Sequence, residues 1–143
     1  MRKLWIALFI AAILIGLYFV INNERSTSLQ ELFKDEGITS ANITSIEVDK
    51  PLTSEETTVT DPNKINKITN NLLHTPLKKN RYNKVKDFSQ SYWITIFANG
   101  ERRLGITYYD SGFVSVFTFQ DSKHYNYKIA DHSDISTIKG LFK

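Results

Sequence analysis

The chain has 143 residues, of which 41% are hydrophobic and 23% are charged, and its formal net charge at pH 7 is +3. It holds six glycines and no cysteine, which excludes a collagen-like repeat, a disulfide scaffold and a thiolate zinc site. The length fits one domain, and the apolar share is too high for a fully disordered chain.

The N-terminus is the most apolar part of the chain. No residue from Leu4 to Ile21 is charged, and this run would measure about 27 Å as a helix, against about 30 Å for a bilayer core. Arg2 and Lys3 precede it, and the positive-inside rule places such residues in the cytoplasm. The run therefore predicts a transmembrane helix with its N-terminus inside.

Three interpretations of this segment are a cleaved signal peptide, a buried helix and an uncleaved signal anchor. A cleaved signal peptide needs a small-x-small site, and none follows the run. A buried helix of this length needs a larger core than the chain can build. We therefore expect an uncleaved signal anchor over residues 1–23, a spacer over 24–27 and an extracytoplasmic domain over 28–143.

Two helices are predicted in the first half of this domain. Ser28 and Glu31 fit a capping box that begins a helix over 28–36, and Gly37 is a natural residue to end it. Asp61 and Pro62 are an N-cap and a first helical residue for a second helix over 63–74. Residues 43–49 and 57–60 predict strands between the two helices.

The second half predicts a meander of strands. Three strands are expected over 91–119, a fourth over 124–129, and a C-terminal helix capped by Ser133. The absence of βαβ alternation indicates an α+β fold. We expect an antiparallel sheet of about four to six strands, with helices packed mainly on one face and the N-terminal transmembrane helix before it.

Even-numbered residues of the meander are expected on one face of the sheet and odd-numbered residues on the other. If its first two turns are three-residue loops with a glycine bulge, Phe97 pairs with Glu101 and Tyr109 pairs with Phe113. One face is then aliphatic and the other is aromatic. A two-residue turn at Asn99-Gly100 would shift this sorting by one residue. The aliphatic face carries Ile94, Ile96, Leu104, Ile106, Tyr108, Val114 and Val116.

The aromatic face has two interpretations. It is a second half of the core under residues 28–60, or it is an open platform that binds a ligand or a partner. Its members, which are the predicted binding residues, are Trp93, Phe97, Tyr109, Phe113, Phe117 and Phe119.

Two charged segments stand out. Residues 47–61 are acidic, and residues 78–86 are basic. Such runs are usually solvated, but a basic loop can also contact an anionic lipid or polymer surface. The bases predicted to make that contact are Lys78, Lys79, Arg81, Lys84 and Lys86.

Catalytic signatures are weak. The cluster Asp131, His132, Ser133 and Asp134 resembles a triad or metal set at first sight, but a helix cap explains it better. We expect no catalytic, metal or cofactor site. The alternative is a cell-envelope hydrolase or metal-dependent enzyme that uses residues 131–134.

Two stretches carry a resemblance, TVTDPNKINKITNNL at 58–72 and YWITIFANGERRLGITYYDSG at 92–112. With the apolar N-terminus, they make the chain similar to small exported or membrane-anchored Bacillus-type proteins of an uncharacterised domain family. The resemblance implies an extracytoplasmic α+β domain and transfers no functional residue.

These observations together predict a membrane-anchored, extracytoplasmic binding module. Its expected partners are the membrane, crossed once, and a protein or a cell-wall polymer. Nucleic acid is not expected, because the charges beyond residue 23 nearly balance.

Overall fold

The computed structural model describes residues 2–23, 27–80, 85, 89–130 and 135–142, without the side chains of 2–4, 21–23 and 27. The helices are α1 (Arg2–Asn23), α2 (Leu29–Asp35), α3 (Pro62–Leu73) and α4 (Ser136–Lys139), and α4 continues as a 3₁₀ turn over Gly140–Phe142. The strands are β1 (Thr27–Ser28), β2 (Ile43–Lys50), β3 (Glu55–Val59), β4 (Pro76–Lys79), β5 (Ser91–Ala98), β6 (Glu101–Tyr109), β7 (Phe113–Thr118) and β8 (His124–Ile129).

The strands form one antiparallel sheet in the order β1-β4-β8-β7-β6-β5-β2-β3. Seven strands make the body of the sheet, and the two-residue β1 adds an eighth at one edge. The predicted α+β class with an antiparallel sheet is confirmed. The predicted count of four to six strands is too low, because β1 and β4 form only through pairing with distant strands.

β4 corrects the interpretation of residues 78–86 as an exposed connection. Lys78 and Lys79 belong to a strand that pairs with β8, and Leu77 beside them is fully buried. Pro76 begins this strand, a position that tolerates the missing amide hydrogen. Pairing with β8 could not be seen in the local sequence.

The core lies on one face of the sheet, under the helices. α2 contributes Leu29 and Phe33, α3 contributes Ile65, Ile68 and Leu72, and α4 contributes Ile138, all buried. The aliphatic residues of the sheet complete this core. The predicted placement of the helices on one face is therefore confirmed.

The helix ends predicted from the sequence are confirmed in part. Asp61 caps α3 as predicted, and its Oδ1 accepts a hydrogen bond of 2.8 Å from the amide of Asn63. Ser28 is the N-cap residue of α2 as predicted, but its side chain makes no cap hydrogen bond, so the serine half of the predicted capping box is not formed. Gly37 has a φ of +64°, which suits its predicted place after the helix. The predicted cap of the last helix, Ser133, lies outside the described residues.

Within the described part of the chain, no helix is both long enough and apolar enough to cross a membrane. The transmembrane helix in the predicted fold class is therefore wrong. The division of the chain at residue 23 and the cellular location stay predictions.

Candidate functional site

The two faces of the sheet are aliphatic and aromatic, as the parity argument predicted, and they differ in burial. The aliphatic set, from Ile94 to Val116, is at most 1% exposed. None of the six aromatic residues on the opposite face is buried, and Trp93, Phe117 and Phe119 are 52%, 37% and 37% exposed. We call this second face the open face. It is the candidate binding site.

The separation into an aliphatic and an aromatic face holds, but the first turn, between β5 and β6, is not the three-residue loop that was expected. Ala98 pairs with Glu101, so Asn99 and Gly100 form a two-residue turn, with φ of +53° and +80°. Such turns match the twist of a hairpin. The predicted pairing of Phe97 with Glu101 is wrong.

One extra residue in β6 returns the rest of this strand to the predicted faces of the sheet. Ile96 pairs with Leu104 and Phe97 pairs with Arg102, which leaves Arg103 as the additional residue of a β-bulge. The bulge cancels the one-residue shift that the short turn introduces. The second turn behaves as predicted, since Tyr109 pairs with Phe113.

A groove of about 320 Å³ lies in the middle of the open face. Trp93 on β5 forms one wall. Phe117 and Phe119 form the other wall, with their rings in an edge-to-face contact at 5.1 Å between centroids. His124, opposite Phe117 on β8, closes the groove beyond this second wall.

The floor of the groove is made of small residues. Thr95, Gly105, Thr107 and Ser115 lie between the aromatic walls. A Cβ atom added to Gly105 would lie 3.4 Å from Cε2 of the Phe119 ring. Gly105 therefore keeps the middle of the floor open. Ser115 donates a 2.5 Å hydrogen bond to Oδ1 of Asn126 at the side of the floor.

The remaining predicted aromatic residues lie on the open face but away from the groove. Phe97 is half-buried, with the guanidinium of Arg102 5.7 Å from its ring centroid. Tyr109 and Phe113 pair with each other at the opposite end of the strands. The predicted set of six is thus divided, and only Trp93, Phe117 and Phe119 line the groove.

Charged side chains flank the groove on both sides of the open face. Glu47 and Asp49 on β2 and Glu56 on β3 form an acidic edge, since Asp49 pairs with both Trp93 and Glu56. Lys128 on β8 pairs with Phe113 and with Lys78 on β4, which places a basic edge on the other side. The sheet order separates the two edges by the width of the groove.

Only part of the predicted basic loop lies within the described residues. Lys78 lies on the open face, whereas Lys79 pairs with the buried Tyr127 and lies on the core side of β4. Arg81, Lys84 and Lys86 are outside the described residues, as are residues 131–134 of the alternative enzyme site. Among the residues that the structure describes, no cluster of His, Asp and Glu could hold a metal ion.

Sequence reasoning missed the small floor residues and His124. Gly105 was the available signal, because a glycine inside a strand often marks a close approach of another group. Thr107 and Ser115 share the parity of the aromatic residues and could have been placed on the same face. Their role as a floor depends on what lies on both sides of them, which parity does not reveal.

Comparison with known proteins finds no relative of this chain. No family model matches the chain, and neither a curated protein nor a solved structure matches it. The resemblance to Bacillus-type envelope proteins therefore stays a prediction.

Proposed function

We propose that the sheet domain is a binding module without catalytic chemistry, and that its open face is the surface that binds. The observation that carries this proposal is the exposure of Trp93, Phe117 and Phe119 around one groove. Monomeric proteins seldom leave such an apolar cluster in water without a function. Aromatic residues are also the most common anchors of protein interfaces.

The fold does not need these three rings for its own core. The core is complete on the other face, where the sheet and the helices bury more than twenty apolar residues. Selection for stability alone does not explain three large aromatic side chains beside a floor of Gly, Ser and Thr. A bound partner would explain both the walls and the floor.

Site-specific photo-cross-linking in living cells tests this proposal. Replacing Trp93 or Phe117 by p-benzoylphenylalanine keeps an aromatic ring at the position and adds a photoreactive group. The matched control is Leu52, which is 63% exposed but lies in the turn between β2 and β3. The mass of each adduct shows whether a second copy, another protein or a polymer was captured.

A binding module predicts discrete adducts from positions 93 and 117 and none from position 52. Equal, diffuse labelling from all three positions, or no labelling at the two positions of the groove, would contradict the proposal.

A further inference from the structure

The two charged edges of the open face carry like charges on directly paired residues. Asp49 pairs with Glu56 across β2 and β3, and Lys78 pairs with Lys128 across β4 and β8. Like charges directly opposite each other destabilise a sheet. None of the ion pairs within the described residues involves these four side chains. A single copy of the chain thus keeps two unfavourable pairs at opposite sides of one surface.

We propose that the open face binds a second copy of this chain, face to face, about a two-fold axis parallel to the strands. The inference rests on the proposed function and names its partner. Such an axis turns the acidic edge of each copy onto the basic edge of the other. An axis across the strands would instead bring acid onto acid and base onto base. The charge pattern therefore selects one orientation, in which the acidic edge of each copy faces the basic side of the other.

The shape of the surface agrees with this orientation. Trp93 pairs with Thr107 of the groove floor, so it projects about 5 Å to the side of the groove. An axis that runs between β5 and β6 places each Trp93 over the groove of the other copy. A cavity of about 150 Å³ already accepts a benzene ring, and the groove measures about 320 Å³. The two indoles would therefore enter the two grooves reciprocally.

The size of the face is adequate for such a contact. The six strands from β8 to β3 overlap about this axis, and at about 4.8 Å spacing and about 20 Å length they give a face of roughly 600 Å². That is the lower end of the about 600–1,000 Å² per partner of a stable interface. Two sheets that pack in this way remain within about 30° of parallel, as in a β-sandwich. The dimer would therefore be a four-layer molecule, with the helices of each copy on the outside.

Sedimentation equilibrium of the full chain tests the proposal. A mild detergent covers the apolar side chains of α1, which are exposed from Trp5 to Val20, so that they do not contribute to association. The first variant, D49K/E56K, makes both edges basic. The second, K78E/K128E, makes both edges acidic. Each variant keeps its directly opposed residues like-charged, so the local strain within one copy is matched to that of the parent.

We expect the parent to be a dimer, and each charge variant to associate with itself at least tenfold more weakly. An equimolar mixture of the two variants should form a heterodimer with the affinity of the parent restored. W93A should also weaken association at least tenfold, whereas L52A should not. Circular dichroism identifies any variant that fails to fold, and F117A then replaces W93A.

A parent that is monomeric at all concentrations would overturn the second copy as partner, as would charge variants that dimerise like the parent or fail to recombine. If the parent is monomeric while positions 93 and 117 still capture another protein or a polymer in cells, the binding function stands and only the self-association fails. If the parent is monomeric and neither position captures anything, both proposals fail.

Discussion

Gly105 and Phe117 lie opposite each other on β6 and β7, and a Cβ atom on Gly105 would lie 3.8 Å from that of Phe117. The missing side chain leaves the groove open at the point where its aromatic wall begins. The backbone of Gly105 does not have a positive φ, so the position accepts a side chain without strain. The glycine therefore leaves an open space above the sheet at this point.

We expect Gly105→Val to block binding while the fold is kept. The branched side chain suits a strand and fills the floor of the groove. Gly105→Ala, a smaller step, should leave the free energy of unfolding unchanged or raise it by up to about 1 kcal/mol, because glycine inside a strand is entropically unfavourable. Denaturant unfolding and sedimentation of both variants check the two effects separately. Strong destabilisation by alanine would show that the space is needed by the fold.

The two faces should respond oppositely to truncation. Ile106 is 1% exposed in the core, so Ile106→Ala should lower the free energy of unfolding by about 2–5 kcal/mol. Phe117 is 37% exposed and has an edge-to-face contact with Phe119, so Phe117→Ala should lower it by only about 1 kcal/mol. Urea unfolding monitored by circular dichroism measures both. Similar losses would mean that the aromatic face is part of the core.

The like-charged pair of Lys78 and Lys128 predicts a stabilising substitution. Lys78→Glu creates an opposite-charge cross-strand pair and should raise the free energy of unfolding of the monomer by about 0.2–1 kcal/mol. Lys79→Glu, next to it on the other side of the strand, is the matched control and should change little. Unfolding at a concentration low enough to avoid association, in low and high salt, checks the prediction. The gain should shrink in high salt.

Stability should fall at alkaline pH through Tyr127. Burial raises the pKa of this phenol to about 12, and nearby Tyr125 and Glu31 act in the same direction. In the unfolded chain a tyrosine titrates near about pH 10. Between these values the unfolded state holds fewer protons than the folded state, so the free energy of unfolding decreases as pH rises. Below pH 10 this contribution is fully present.

Tyr127→Phe should remove part of that alkaline decrease, as unfolding measured at pH 9, 10 and 11 would show. Part of the decrease should remain, because burial also raises the pKa of Tyr108, whose hydroxyl donates a 2.9 Å hydrogen bond to Thr75. A pH profile identical to that of the parent would show that Tyr127 titrates normally in the folded state.

The cap of α3 offers a simple local test. Asp61→Ala removes the acceptor for the amide of Asn63 and should lower the free energy of unfolding by about 1 kcal/mol. Asp61→Asn keeps an acceptor at the same position and should restore most of the loss. Thermal unfolding of the three proteins is sufficient to check this.

Local chemistry determined much of the molecule. The spacing of Ile65, Ile68 and Leu72 with an Asp-Pro start specified α3 and its buried side, because a helix brings such residues to one stripe. Strict alternation specified the strands of the meander and which residues are buried. The sequence alone therefore provided the α+β class, the aliphatic core and the membership of the aromatic face.

Tertiary pairing decided the rest. β4 exists because Leu77 pairs with Ile129, far away in the chain, and the short Asn99-Gly100 turn keeps two coherent faces only because Arg103 forms a bulge. Whether the aromatic face is covered depends on where the helices pack, and they pack on the other side. The opposed acidic and basic edges follow from the order of strands in the sheet. Each of these features joins residues that are distant in sequence, so no local periodicity could reveal them.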